Sequence, residues 1–402
     1  MKKKNLLIAQ SGGPSAAINA TLAGAVSAAQ QCPQVDRIFG SRHGIEGVLR
    51  EHWVDLTDFS QLERLKATPA MALGSCRFKL PEDFSDPVYQ QIDTVFRKMN
   101  VGYFLYIGGN DSMDTVSKLS DYYADREGPV VVGLPKTIDN DLPGCDHTPG
   151  YGSAARYLAV TMDELIRDTA IYALPSVTIV EIMGRDAGWL TLAAGLPRFR
   201  GGSKPDIIAI PEKPFDEQAF LAEVREKMKT TQNIVAVVSE GIRDAEGQYV
   251  GAGAKSGAVD TFGHLYLSGV GKYLEGLVKR EIGCKVRSIE VNLMQRCAGH
   301  LASQADLDES FAVGAHGMAM AAAGEGGRMA AILRKEGPEY GYYCGSADIK
   351  ACANQERLVP AEWFDLDDPA VQKEVCRYIL PLIRGEAAQF RDEYGFADYV
   401  IF

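Results

Sequence analysis

Short apolar runs that stop abruptly in glycine or polar clusters recur along this chain. Residues 5–10 carry Leu6-Leu7-Ile8-Ala9 and are followed by Ser11-Gly12-Gly13-Pro14-Ser15. Residues 101–107 read VGYFLYI and end in Gly108-Gly109-Asn110-Asp111-Ser112-Met113-Asp114. Residues 129–134, with three consecutive valines, end in Pro135-Lys136-Thr137-Ile138-Asp139-Asn140-Asp141. Runs of this length, rich in β-branched residues and bounded by turn signals, predict buried strands. Further strands are predicted at 178–183, 206–212, 233–239 and 286–294, the last ending in Gln295-Arg296.

Helical periodicity fills the intervals. Residues 16–30 are Ala-rich; in 215–229, Phe220, Val224 and Met228 recur every fourth position; in 270–282, Val270, Tyr273, Leu274, Leu277 and Val278 share one face. Residues 318–334 read as a helix, a glycine turn and a strand, and 251–263 as a flexible Gly/Ala/Ser surface excursion. Strands alternating with helices predict an α/β fold with largely parallel sheets. In such sheets ligands bind beyond the strand ends, so the polar clusters should line one edge.

Each cluster taken alone has a plain structural reading. Two glycines after residue 11 suit any tight strand-to-helix turn, although a strand, glycine turn and helix also cradle phosphate on backbone N–H groups. The turn is neither a Walker A loop nor a dinucleotide fingerprint, because neither spacing is present. Ser112 and Asp114 could serve as helix N-caps, and residues 137–141 as an Asx-rich bend. Convergence of three such clusters on one sheet edge is what favours a binding site.

Composition narrows the function classes. The chain has 402 residues, 46% hydrophobic and 24% charged, enough for two domains. Its net charge of −11 argues against a nucleic-acid partner, which needs a basic footprint. It leaves room for small anionic substrates held by local Lys and Arg. No apolar run approaches about 20 residues, so no membrane partner is expected. The eight cysteines lack metal-ligand or disulfide-framework spacing, which points to reduced thiols and a cytoplasmic location.

Together the clusters resemble the phosphofructokinase family. The resemblance rests on Ser11-Gly12-Gly13 with Asn19, Gly74-Ser75-x-Arg77, Gly108-Gly109-x-x-Ser112, Thr137-Ile138-Asp139-Asn140-Asp141, Met183-Gly184-Arg185, Glu240, and Arg287 with Gln295-Arg296, in the family's order and over about residues 5–335. It implies two α/β lobes with largely parallel sheets and an active site in the interlobe cleft. It divides the chain into a donor-binding lobe at about 1–150, a sugar-phosphate lobe at about 151–300, a return at about 301–335 and a C-terminal extension at 336–402. The implied reaction is reversible phosphoryl transfer to the 1-hydroxyl of fructose 6-phosphate, with Mg²⁺ as cofactor. The implied assembly is a homodimer or homotetramer.

The resemblance also assigns roles. Asp139 matches the catalytic base, Thr137 a hydrogen bond near the reacting group, and Asp141 a loop-fixing carboxylate. Met183, Gly184, Arg185 and Glu240 would hold the sugar. Arg296 and, from a neighbouring subunit, Arg287 would bind the 6-phosphate, where a guanidinium fork suits phosphate oxygens. Gly12 and Arg77 are candidates for donor contacts.

Two positions bear on the donor. ATP-using members carry Gly where Asp111 and Lys136 stand, whereas members using inorganic pyrophosphate resemble this chain. A carboxylate at Asp111 would crowd and repel a nucleotide's α-phosphate, and an ammonium at Lys136 would neutralise a small leaving phosphate. Pyrophosphate is therefore the expected donor, giving fructose 1,6-bisphosphate and phosphate. An ATP-dependent enzyme, a kinase for a related sugar phosphate and a non-catalytic regulatory subunit are the alternatives. Asn110 stands where many members have a magnesium-associated Asp, making it a neutral candidate ligand. Leu293 replaces a usual His or Tyr, and Ser176 an intersubunit Arg.

Overall fold

The computed structural model describes residues 2–171, 173–251 and 269–402. Eleven strands are found among them: β1 (Lys4–Gln10), β2 (Val35–Ser41), β3 (Trp53–Asp55), β4 (Val101–Gly108), β5 (Val130–Pro135), β6 (Ser176–Ile182), β7 (Ile207–Ala209), β8 (Asn233–Ser239), β9 (Lys285–Glu290), β10 (Arg328–Arg334) and β11 (Tyr342–Asp348). The chain forms two compact units. One comprises Met1–Ser153, Arg296–Glu356 and Ile383–Phe402; the other comprises Ala154–Gln295 and Arg357–Leu382.

The first unit holds a seven-stranded sheet in the order β11-β10-β5-β4-β1-β2-β3. Its five inner strands are parallel, and β3 and β11 pair antiparallel at the two edges. Alternation along the inner strands explains why they read as continuous apolar runs. Leu7 and Ala9 of β1 join Phe104 and Tyr106 of β4 in one core, while Leu6 and Ile8 join Leu105 and Ile107 in the core on the other face. A strand covered on both faces has no solvent side to fill with polar residues. Helix Ile18–Gln31 packs closely on helix Gln304–Ala322: a Cβ on Gly24 would overlap the Phe311 carbonyl, and one on Gly314 the Thr21 carbonyl.

The strand order carries the three N-terminal clusters to one place. β5, β4 and β1 are neighbours and run parallel, so residues 135–141, 108–114 and 11–15 leave the same edge. From β1 the chain proceeds outward through β2, and from β4 outward through β5 on the other side. The gap between β1 and β4 is thus a topological switch point, where the connections diverge and leave a crevice.

The second unit holds a four-stranded parallel sheet in the order β7-β8-β6-β9. Ile182 at the end of β6 lies opposite Ser239 at the end of β8, so the segments after them emerge side by side. Ile179, Val238, Leu221, Val224, Leu274 and Val278 form part of its core.

Several predicted boundaries contract. The strand expected at 286–294 ends at Glu290, because Asn292 adopts a left-handed backbone (φ 44°) and Met294–Cys297 forms one helical turn. Gln295 and Arg296 therefore sit on a turn of helix rather than at a strand end. The strand expected at 206–212 spans Ile207–Ala209, two residues short of Pro211, which cannot donate to a ladder. The helix expected at 215–229 runs Glu217–Lys227, capped by the Asp216 side chain. Most of the predicted excursion at 251–263 lies outside the described residues.

Residues after 335 are distributed over the fold. β11 extends the first sheet, Arg64 pairs with Asp398, and Val400 N donates to Thr68 Oγ1 at 3.0 Å. Helix Pro369–Ile379 belongs to the second unit. No helix of the described residues is long and apolar enough to cross a membrane.

Candidate active site

The Ser11–Gly13 turn and the start of the 135–141 loop meet at a buried lysine. Gly12 has φ +80°, a backbone that disfavours any side chain, and a Cβ built there would lie 3.3 Å from Lys136 Nζ. Ser75 Oγ donates to Gly12 O at 2.7 Å, tying the 74–77 segment to this turn. Lys136 N donates to Gly108 O at 2.8 Å, so the third cluster is stitched to the second. Lys136 itself is 3% exposed.

Burial dominates the electrostatics here. It pushes the Lys136 ammonium down to about 8, against the pull of Asp139 and Asp141 and with the help of the Arg296 charge. Asp141 is pushed well above the usual carboxylate range by burial and then by the like charge of Asp139, although the Thr137 hydroxyl hydrogen-bonds its ionised form. Asp141 and Lys136 are thus both drawn toward neutrality, from opposite sides. Arg296 is also close to the first turn, its Nη1 3.4 Å from where a Gly13 Cβ would be. The structure thus brings together Gly12, Lys136, Asp139, Asp141 and Arg296.

The loop's shape is set from within. Asp139 N donates to Thr137 Oγ1 at 3.1 Å, and Asn140 takes a left-handed backbone (φ 59°) that lets the chain reverse. Buried Asn140 accepts from Thr148 N at 3.1 Å, and Thr148 Oγ1 donates to Thr137 O at 2.8 Å.

The second cluster differs from its expected capping. Helix Asn110–Tyr122 starts earlier than Ser112, with Gly109 as N-cap and no side-chain cap. Ser112 Oγ packs under Gly108, buried and without a hydrogen-bond partner among the described residues. Asp114 instead pairs with Lys118 at 2.8 Å, one helical turn on, and accepts from Asn354 Nδ2 at 3.0 Å. Asp111, in the first turn, pairs with Lys79 at 3.1 Å. Lys79 lies two residues past Arg77, itself exposed, and that spacing was the one sequence signal available for it.

Asn110 Nδ2 donates to Gln355 O at 2.7 Å. Its Oδ1 is enclosed, without a hydrogen-bond partner among the described residues, and so leaves a neutral oxygen acceptor open. Those residues contain no group of three or more His, Cys, Asp or Glu able to hold a metal. This donor set suits an ion that keeps its waters and arrives with phosphate, as Mg²⁺ does, better than a dedicated protein cage.

In the second unit, the segments after β6 and β8 interlock. Gly184 N donates to Glu240 Oε1 at 3.3 Å, Ser239 Oγ donates to Gly184 O, and Glu240 N donates to Ile182 O at 2.8 Å. A Cβ on Gly241 would overlap the Arg185 carbonyl. Met183, Gly184, Arg185 and Glu240 are therefore one cluster. Arg287 is exposed on β9, the edge strand of this sheet.

The family model described as Phosphofructokinase matches residues 5–319. The chain is similar to a pyrophosphate–fructose 6-phosphate 1-phosphotransferase of Xanthomonas campestris pv. campestris (strain B100), 40% identical with 100% of this chain and 96% of that protein covered. It is 38% identical to the protein of the same name from Methylococcus capsulatus (strain ATCC 33009 / NCIMB 11132 / Bath), covering 96% and 93%. Among solved structures it resembles a pyrophosphate-dependent phosphofructokinase from Nitrosospira multiformis, with a TM-score of 0.86 and 34% identity over 99% of this chain and 96% of that one. Glycine turns, buried lysine and paired aspartates all lie within the matched stretch, and the chain belongs to the phosphofructokinase family.

Proposed function

We propose that this protein transfers a phosphoryl group reversibly between inorganic pyrophosphate and the 1-hydroxyl of fructose 6-phosphate. The observation that carries the reading is Lys136, a buried ammonium beside the Gly12 turn and flanked by two aspartates. The names of the relatives at 38–40% identity support the same substrates. In the forward direction the 1-hydroxyl oxygen attacks the distal phosphorus of pyrophosphate. The bond from that phosphorus to the bridging oxygen breaks, and its electron pair leaves with phosphate. Asp139 takes the hydroxyl proton, and Lys136 neutralises the departing phosphate. Phosphoryl transfer through a loose transition state asks the protein mainly for such positioning and charge neutralisation.

The remaining groups take supporting roles in this reading. Thr137 and Asp141 fix the loop around the base, and Gly12 and Arg77 contact the donor. Met183, Gly184, Arg185 and Glu240 hold the sugar, and Arg296 and, from a neighbouring subunit of a homodimer or homotetramer, Arg287 bind the 6-phosphate. Mg²⁺ bound with pyrophosphate, near Asn110 Oδ1, would supply further neutralisation of the phosphate oxygens. Asp111 disfavours a nucleotide, and its pairing with Lys79 keeps that carboxylate in place. The enzyme works in the cytoplasm.

Initial rates with fructose 6-phosphate and Mg²⁺ test the reading, with pyrophosphate in one assay and ATP in the other. Turnover with pyrophosphate alone is expected. Turnover with ATP alone would mean that Asp111 and Lys136 do not select the donor. Silence in both would favour another sugar phosphate or a regulatory subunit. A second expectation concerns Gly12→Ala, whose new methyl meets Lys136 Nζ at 3.3 Å from a left-handed backbone. Its KM for pyrophosphate should rise about tenfold, equivalent to about 1.4 kcal/mol, with a stability loss of about 1 kcal/mol. Unchanged KM for pyrophosphate would remove Gly12 from the donor contacts.

A further inference from the structure

Residues 146–150 lead from the 135–141 loop to helix Tyr151–Thr169, and two carboxylates of helix Gln304–Ala322 grip them. Asp306, 4% exposed, accepts from Gly150 N and Ser153 N, each at 2.9 Å. Glu309, three residues on and on the same helix face, is 3% exposed and contacts Nε2 of His147. The other ring nitrogen, Nδ1, lies 2.8 Å from Asp146 Oδ2. His147 is 2% exposed.

A neutral imidazole has one N–H and one lone pair, so it can satisfy only one of two carboxylate neighbours; an imidazolium satisfies both. The other oxygens of the carboxylates are also occupied by donors. Tyr340 OH donates to Glu309 Oε1 at 2.6 Å, and Arg334 Nε lies 3.2 and 3.1 Å from the two Asp146 oxygens. Against the push of burial, the hydrogen bonds and charges of His147 and Arg334 hold the Asp146 carboxyl below its usual range. Around Glu309 the further titratable groups are Asp306, Tyr342 and Cys344. Burial raises the last two, so they stay neutral over the working range, and none of the three supplies a cation. Burial works against charge on His147, but the hydrogen bonds and charges of Asp146 and Glu309 push it up to about 9.

The grip reaches the proposed base in two short steps. Thr148, next to His147, holds Asn140 Oδ1 and Thr137 O, and Thr137 N donates to Pro149 O at 3.2 Å. Thr137 also pairs with Gly150 in a parallel bridge. We propose that His147 is a positioning residue for the phosphoryl-transfer loop: clamped as an imidazolium between Asp146 and Glu309, it fixes residues 146–150 and, through Thr148, the backbone from Thr137 to Asn140 that presents Asp139. The proposal rests on the reading of Asp139 as the base.

The test pairs spectroscopy on the full chain with kinetics. In protein labelled with ¹⁵N-histidine, both ring nitrogens of His147 should be protonated at pH 7. Glu309→Gln keeps the shape but removes one charge, so His147 should titrate within pH 6–8, and the amide signals of Thr137, Asp139 and Thr148 should move with it. The variant's kcat relative to wild type, with pyrophosphate and fructose 6-phosphate, should fall about tenfold from pH 6 to pH 8, while the KM for fructose 6-phosphate changes less than twofold. A single protonated nitrogen in wild type at pH 7 overturns the proposal. So do loop amides or a kcat ratio that ignore the His147 titration. If Glu309→Gln does not fold, raising wild-type protein through pH 9 makes the same comparison of ring and loop signals. Wild type inactive with these substrates would sink the proposed function and leave the spectroscopic comparison to decide the clamp.

Discussion

Asp139→Asn is expected to lower turnover by about 10²–10⁴, the usual worth of a positioned general base, while fructose 6-phosphate still binds. Asparagine has nearly the same shape, and the Asp139 N–H bond to Thr137 Oγ1 belongs to the backbone, so the loop should persist. What disappears is the group that can take the hydroxyl proton. The substitution also removes the like charge that helps raise Asp141, so Asp141 should ionise at lower pH and cannot easily take over as a proton acceptor of matched strength. Steady-state kinetics together with calorimetric titration of fructose 6-phosphate separate the two effects. Near-native turnover would show that Asp139 is not the base and would shift attention to Asp141.

Lys136→Met should reduce pyrophosphate-dependent turnover by about 10²–10³, the range found when one group stabilising developing transition-state charge is removed. The lysine has a second signature, in pH. Its ammonium is pushed down to about 8 by burial, so activity should fall as pH rises through that value and the cation is lost. On the acid side Asp141, pushed up by burial and then by the like charge of Asp139, should take up a proton as pH falls below neutrality, changing the charge beside the base. Bound pyrophosphate, an anion, favours the ammonium, so the alkaline limb should lie at higher pH in kcat than in kcat/KM. Residual turnover of Lys136→Met should lack this limb. A wild-type alkaline limb retained by the variant would assign it to another group. The sign for stability is opposite. Between about 8 and the ordinary value of 10.5 the unfolded chain keeps a proton that the folded lysine has released, so this group's contribution favours folding more as pH rises through that window.

The strands and the loops at their ends were legible because both signals are local. An inner parallel strand must be apolar on both faces, so β1, β4 and β5 announce themselves as unbroken hydrophobic runs. The switch to Gly12-Gly13, Gly108-Gly109 and Thr137–Asp141 is abrupt because turn chemistry replaces strand pairing there, even though Lys136 and Asn140 stay buried. Boundaries were less legible where one residue's backbone decided them. Asn292 ends β9 and puts Arg296 on a helical turn, a local conformation that the apolar pattern of 286–294 does not encode.

By itself the sequence determined the α/β class, the three polar clusters at strand ends and the residue types for phosphoryl chemistry, since periodicity and turn chemistry act over a few residues. Tertiary structure alone decided which distant charges meet. It set Lys79 on Asp111, Arg296 beside Gly13 and Lys136, Gln355 against Asn110, and Glu309 on His147, 162 residues away. It also decided protonation, because a lysine or histidine reads identically in sequence whether water or two carboxylates surround it. Burial removes the solvent that would level such groups, and their neighbours, fixed by strand order and helix packing, then set where each one titrates.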